Sequence, residues 1–465
     1  MPAPYPINRL DDVLGDAVER AVRGHHRRRL TRRGHAAAFD PPAAGWAASG
    51  SFAPREGCAA ELLVDGDSVL PRMVADVEAA KSHLHVTGWY FTPSFRMGAD
   101  GPTLRDLLVD AASRVDVRVI AWAGAPLPLF HPDRGEVREM REALVRGSRI
   151  EMQLDSRERP MHCHHEKLVI VDDRVAYVGG LDLTSFQGDR LDSSSHARRD
   201  GIGWHDTCLR LEGRVVADVA EHFRLRWRGA LPTVEPAQAG GDTVQLVRTV
   251  PERVYDGLPL GEFTILESYV RALRAAERFV YIESQFLWSP ELIEILSAKL
   301  REPPRDDFRA VVLLPADPNN GRDDTRGQLG VLVAAAKEGG DENRFLACTL
   351  FQPRGTAVYV HSKAAIVDDA WLTVGSANLN EHSLFNDTEV NAVVHTESFI
   401  RDARLRLWSE HLETDAAGEP CRVIDELWRP RAAEASPERK LRLLRGVSRR
   451  TQALRGPING LVVDG

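Results

Sequence analysis

The sequence contains no run of about eighteen apolar residues, the length that a bilayer-crossing helix requires. Its five cysteines (Cys58, Cys163, Cys208, Cys348 and Cys421) are scattered and odd in number. That favours a reducing compartment or incidental thiols over a disulfide framework. Basic residues are not in excess: 60 Lys and Arg stand against 68 Asp and Glu, a net charge of −8. The chain therefore lacks the global charge signature of a nucleic-acid-binding protein. The first residues, Met1 to Arg9, lack the basic-then-apolar layout of a secretory signal. A cytoplasmic monomer is expected, with basic segments near both termini as candidate contacts to a membrane surface. What is present is an ordinary soluble composition, 43% apolar, which suffices for a full core.

One stretch occurs twice. The first copy runs His165-Glu-Lys167-Leu-Val-Ile-Val-Asp172 and continues to Gly179-Gly180-Leu-Asp182. The second runs His361-Ser-Lys363-Ala-Ala-Ile-Val-Asp368 and continues to Gly375-Ser376-Ala-Asn378. The two histidines stand 196 positions apart, and the same offset aligns much more of the chain. It lays Val86-Thr-Gly-Trp89-Tyr on Ile282-Glu283-Ser-Gln285-Phe, each at the end of an apolar run. Asp206 to Trp227 and Asp387 to Trp408 both span 21 positions. This is a long internal duplication.

Each half alternates strand-like and helix-like stretches, which predicts an α/β fold with mostly parallel sheets flanked by helices. Leu168-Val-Ile-Val and Ala364-Ala-Ile-Val read as buried strands, and the Asp-Asp pairs after them as turns. On a strand, residues two apart share a face, so His165 and Lys167 point together, as do His361 and Lys363. The duplication then sets two His-Lys pairs facing each other across a pseudo-two-fold axis. Four segments are expected. Residues 1–50 form a basic helix (8–30) and a linker, 51–232 a first lobe, 243–413 a second lobe, and 414–465 a basic tail. The tail, rich in Arg and Lys over 429–455, reads as a helix. The polar loop 184–203 has no equal-length partner in the second half and is expected to edge the site.

Two histidines, two lysines and an asparagine describe a phosphodiester site. One imidazole attacks phosphorus, giving a covalent phosphohistidine. The other protonates the leaving alkoxide. Lys167 and Lys363 supply positive charge, and Asn378 an amide donor, where negative charge develops. Asp182 occupies the Asn378 position in the first copy. Asp172 and Asp368 are assigned to turns, with Gly180 and Ser376 as close-packing support. The acid after each motif, Glu389 in copy two and Asp206 in copy one, is the expected partner that fixes an imidazole tautomer. Gln285, His164 and Trp89 are candidate substrate contacts. The run His162-Cys163-His164-His165 suggests metal ligands, but neighbours on a strand alternate faces and do not converge. No metal or cofactor is expected.

The paired motifs resemble those of the phospholipase D superfamily. Copy two with Asn378-Leu-Asn380, Tyr281-Ile-Glu-Ser-Gln-Phe, His164-His165-Glu-Lys167 with Gly179-Gly180-Leu-Asp182, and Trp204-His205-Asp206 all carry the likeness, over residues 55–413. It implies a two-lobed α/β/α fold, a metal-independent phosphodiesterase and one active site between lobes. It also implies that His165 is the nucleophile and His361 the acid. His382 departs from the family pattern, which often has Arg there. The implied activity is hydrolysis of a glycerophospholipid substrate to phosphatidate and headgroup, with transfer to another alcohol as an extension. The alternatives are a cardiolipin synthase-like phosphatidyltransferase and a nucleic-acid phosphodiesterase; nucleic acid is not the first choice of partner. A non-catalytic binding module is disfavoured by the intact His and Lys pairs.

Overall fold

A computed structural model describes the chain except residues 1–4, 43–44, 128–129, 186–202, 232–234, 320–321, 354, 435 and 448–465. Most of the polar loop expected at the site's edge lies outside the described residues.

The fold is α/β, built on one continuous sheet. From one edge its strands are Leu441–Leu443, Phe345–Leu350, Arg309–Leu313, Phe279–Glu283, Ala364–Val367, Trp371–Gly375, Glu389–Val394 and Asp242–Val250. The order continues with Arg55–Val64, Thr207–Gly213, Val175–Gly179, Leu168–Val171, His83–Gly88, Asp116–Trp122 and Glu151–Asp155. Apart from the edge strand 441–443, the order reads the same from either end. The repeat seen in the sequence thus reappears as six matching strands on each side of the Arg55–Val64 and Asp242–Val250 pair. Helices cover both faces. Those at 65–78, 104–114 and 134–145 enclose a core within the first half. Those at 264–275, 290–301 and 322–338 enclose one within the second. Val215–Arg226 and Glu397–Leu412 pack over a core shared by both halves.

The sheet is mixed, which corrects the expectation of a mostly parallel one. Within each half two pairings are parallel, 83–88 with 116–122 and 116–122 with 151–155 in the first. The remaining pairings are antiparallel. The reason lies in the motif. Val171 to Arg174 is a tight turn closed by Arg174 N donating to Val171 O. Asp172 and Asp173 in its centre have φ of 57° and 47°. Positive φ at both central residues is the turn that a two-stranded hairpin favours. Asp368 and Asp369 repeat it, both with φ of 56°. Each motif strand therefore returns on itself instead of crossing over a helix.

The signature aspartates have a second task. Asp172 accepts hydrogen bonds from the backbone N–H of Lys81, Ser82 and His83 (2.9, 2.7 and 2.9 Å). Asp368 accepts from Glu277, Arg278 and Phe279 (2.6, 2.9 and 2.7 Å). Each carboxylate ties the motif turn to the start of the adjacent antiparallel strand. Asp172→Ala and Asp368→Ala are accordingly expected to lose stability, about 2–4 kcal/mol each, since charged hydrogen bonds disappear together. Thermal melts read this loss. A variant that melts like the wild type but has no activity would move these residues into the chemistry.

The terminal segments are more integrated than their composition suggests. Helix Tyr5–Arg32 leads into residues 36–50, where Ala38, Phe39 and Ala48 are buried against the second half. Ser49 and Ser51 there donate to Glu267 and Glu262. In the C-terminal segment, the reading of 429–455 as a helix gives way to a short helix, Arg429–Ala433, and the edge strand Leu441–Leu443 on Phe345–Leu350. Lys440 caps this turn of chain by an ion pair to Glu410 at 3.1 Å. Alternating Leu441 and Leu443 suit an edge strand, a period-2 signal that the surrounding arginines hide.

Candidate active site

Each repeated motif begins in extended chain just ahead of its strand, and each is docked on the opposite half. His165 N donates to Thr388 O (2.9 Å), and Thr388 N donates back to Cys163 O (3.1 Å). In the other copy His361 N and Ser362 N both donate to His205 O (2.8 and 3.1 Å). The short strands Gly203–His205 and Val358–Val360 extend that contact in parallel register.

This docking crosses the acids. Glu389 follows Thr388, so its carboxylate meets His165, with Nδ1 to Oε1 at 2.9 Å. Asp206 follows His205 and meets His361, with Nδ1 to Oδ2 at 2.7 Å. Each acid serves the histidine of the other motif copy, a pairing the sequence leaves open. With Nδ1–H donated to a carboxylate, the tautomer is fixed and Nε2 is the nitrogen presented to chemistry. Glu389 is fully buried and is itself held by the hydroxyls of Ser376 and Ser383. Ser376 is thus the motif residue that carries the acid. Its counterpart Gly180 has the opposite duty: a Cβ there would lie 2.3 Å from Asp206 Oδ1. Only glycine admits that carboxylate.

The lysines curl back over their own motifs. Lys167 Nζ donates to His165 O at 2.6 Å and pairs with Asp182 at 3.3 Å. Lys363 Nζ donates to His361 O at 2.5 Å and to Gln285 Oε1 at 3.2 Å. The same Gln285 oxygen accepts from Asn378 Nδ2 at 3.3 Å. Gln285 therefore organises the lysine and amide of copy two. Its own amide nitrogen is fixed by Tyr359 and Asn319. Burial lowers the Lys363 pKa to about 7 against the pull of Asp206, and raises that of Asp206 to about 6 against the pull of Lys363. In both groups the loss of water outweighs the attraction between them.

Two candidate contacts from the sequence are placed elsewhere. His164 is fully buried, hydrogen-bonded to Thr388 Oγ1 at 2.9 Å and packed on Tyr255. Burial, offset in part by Asp155, lowers its pKa to about 4. It is a neutral strut, because adjacent strand residues face opposite ways and His165 takes the open side. Trp89 stacks on Trp122 in a buried cluster with Ala125 and Cys163, so it is core. The aromatic side chains beside a reacting histidine are instead Trp204, 5.1 Å from the His361 ring, and Tyr359 stacked on it at 4.5 Å. Tyr359 gave no sequence signal: it enters through Gln285. A small, mainly apolar pocket lined by Met73, Phe91, Leu181 and Leu183 adjoins Lys167.

His205 holds the frame. Its Nδ1 bonds Asp65 at 2.9 Å and its Nε2 bonds Glu283 at 3.0 Å. Burial opposes its charge, but Glu283 and Asp65 raise its pKa well above the ordinary value. A buried imidazolium between two carboxylates thus links strand ends of both halves, at the residue whose carbonyl receives His361. Among the described residues no helix is long and apolar enough to cross a membrane.

Residues 269–409 match a family described as cardiolipin synthase, PLD-like domain. The chain is 23% identical over 466 residues to phospholipase D A of Dictyostelium discoideum, covering 78% of this chain and 36% of that protein. It is 25% identical over 360 residues to a cardiolipin synthase of Listeria monocytogenes, covering 73% of this chain and 66% of that one. Phospholipase D alpha 3 of Arabidopsis thaliana is 23% identical, with coverages of 60% and 53%. The chain thus spans between about a third and two thirds of the length of these relatives. Among solved structures, phosphatidylserine synthase of Haemophilus influenzae superposes with a TM-score of 0.51 at 11% identity, covering 77% of this chain and 86% of that one, a likeness of fold. In its duplicated motifs and in these relatives, the chain is similar to members of the phospholipase D superfamily.

Proposed function

We propose that this protein is a phospholipase D-type phosphodiesterase acting on glycerophospholipids through a phosphohistidine. The crossed pairing of His165 with Glu389 and of His361 with Asp206 carries this reading. It supplies a nucleophile and an acid, each with its own carboxylate. In the first step His165 Nε2 attacks phosphorus, a P–N bond forms, and the P–O bond to the headgroup breaks. His361 Nε2–H gives its proton to the leaving oxygen. In the second step water passes a proton to His361, its oxygen bonds phosphorus, and the P–N bond breaks. Phosphatidate leaves and both imidazoles return to their starting states. Lys167, Lys363 and Asn378 neutralise the non-bridging oxygens. Another alcohol in place of water gives transphosphatidylation, and phosphatidylglycerol in that role gives cardiolipin. The match over residues 269–409 and the Listeria relative favour this second reading. The exposed arginines Arg20, Arg28 and Arg32 on the N-terminal helix suit peripheral contact with anionic lipid.

Mass spectrometry of products from mixed phospholipid vesicles, with and without ethanol, tests the proposal. Phosphatidate, joined by phosphatidylethanol when ethanol is present, is the expected outcome. Cardiolipin from phosphatidylglycerol would select the second reading. Untouched lipid beside a cleaved single-stranded DNA control would overturn the substrate. A pH profile adds a check. Lys363 is needed protonated, and burial sets its pKa at about 7. As pH rises through that value the cation is lost. kcat/KM should therefore fall on the alkaline side of about pH 7, and a profile that stays flat there would contradict these roles.

A further inference from the structure

Close to the reacting pair lies a cluster that the phosphodiester chemistry does not use. His162 and His382 approach with Nδ1 to Nδ1 at 3.2 Å, and His162 Nδ1 lies 3.5 Å from Asp387 Oδ1. The three ligand atoms all lie within 4.8 Å of one another. They come from different halves: His162 precedes the first motif, and His382 and Asp387 follow the second. Adjacent histidines on one strand do not converge, and indeed His164 and His165 turn elsewhere. Convergence comes instead from chain more than 200 positions away.

The spacing is informative. Zinc binds imidazole nitrogen at about 2.0–2.1 Å, which sets the edges of a tetrahedral site at about 3.3–3.4 Å. The edges here, 3.2 and 3.5 Å, are close to those of one triangular face. The buried His205–Glu283–His411 triad is arranged differently. There the carboxylate sits between the rings and each of its oxygens takes one N–H, at 3.0 and 2.9 Å. At His162 and His382 two nitrogens meet each other, so without a cation one must donate and the other accept.

The surroundings also fit. Asp387 Oδ1 accepts from Cys163 N at 2.9 Å, which orients the carboxylate from behind. Of the nearby positive charges, Arg159 is directed at Glu252 at 3.2 Å, and Arg29 donates to Asn386 Oδ1 and Phe385 O with its Nε 3.5 Å from Glu252. His162 keeps 11% of its side chain exposed, so water can complete the coordination. Two imidazoles and a carboxylate form a donor set suited to zinc-like divalent cations.

We propose that His162 Nδ1, His382 Nδ1 and Asp387 Oδ1 bind one zinc ion that staples the first half to the second beside the His165–Glu389 pair. The ion has no part in breaking the P–O bond. It fixes the segments that present His165 and Glu389, three and two residues along the chain from its ligands.

The test uses the full chain, stripped with a chelator and then titrated with Zn²⁺. Metal retained after gel filtration is counted, and Co²⁺ is bound in parallel to read its visible spectrum. One equivalent of zinc, low-symmetry cobalt bands and a raised melting temperature are expected. His162→Ala and His382→Ala should weaken binding by more than the ~10–100-fold that loss of an outer partner costs. Asp387→Asn and His382→Gln keep a polar side chain of similar size and serve if the alanine variants fail to fold. No retained zinc in the wild type, or one equivalent retained undiminished in every variant, would overturn the site.

Discussion

His165→Ala and His361→Ala are each expected to lower turnover of phospholipid by about 10⁴-fold or more while the protein stays folded, because each removes a group that must form or break a bond at phosphorus. The two losses should differ in kind. Without His165 no covalent intermediate forms, whatever the leaving group. Without His361 the first step lacks only its acid. A diester with a good leaving group, such as a nitrophenolate, needs no protonation and should still be expelled, while water attack then stalls for want of a base. The first turnover should therefore persist in His361→Ala with such a substrate and vanish in His165→Ala. Phospholipid turnover in either variant within tenfold of the wild type would mean that the two motifs do not share one site.

The second large effect comes from the crossed acids. Glu389→Gln and Asp206→Asn keep the shape of each carboxylate but let an amide N–H face the imidazole, which favours the wrong tautomer. Losses of about 10²–10⁴-fold in kcat are expected, by analogy with removal of the orienting acid in hydrolytic triads. Crossing predicts which step each acid supports. Glu389→Gln, acting through His165, should slow the first turnover even with a nitrophenyl substrate. Asp206→Asn, acting through His361, should spare that first turnover and slow the later ones. The reverse assignment would be found if each acid served its own motif copy. A first-turnover measurement in the two variants decides between them. Ser376→Ala and Ser383→Ala loosen Glu389 without removing it, and should weaken activity in the same direction but less.

Much of this was legible in the residues. The 196-position offset reappears as a strand order that reads alike from both ends, since equal sequences build equal strands and the two halves meet at 55–64 and 242–250. The period of two placed His165 with Lys167 and His361 with Lys363, and both lysines reach back over their own histidines. The assignment of Asp172 and Asp368 to turns followed from two acidic residues where positive φ is tolerated. What the sequence hid is long-range. The crossing of Glu389 and Asp206 depends on backbone docking between segments some 150 to 220 positions apart, which no local pattern encodes. The turn and returning strand of each motif were legible, but the number of antiparallel pairings around them was not, because parallel and antiparallel strands share one alternation. His164 turns inward for a simpler reason: facing alternates along extended chain, and the neighbour of His165 points into the core, while Trp89 packs in the core as a large aromatic does by default. The partnership of His162 with His382 and Asp387 was likewise out of reach, because only one of the three lies near the first motif.

The account rests on one covalent bond between phosphorus and His165. It is tested most directly by peptide mapping of the His361→Ala protein after brief reaction with an activated phosphodiester, under conditions that preserve acid-labile phosphoramidates. The predicted result is a single modified peptide, with the phosphoryl group on His165 and a yield near one per chain. Modification at His382, His162 or any other residue, or release of the leaving group with no modified peptide, would contradict it.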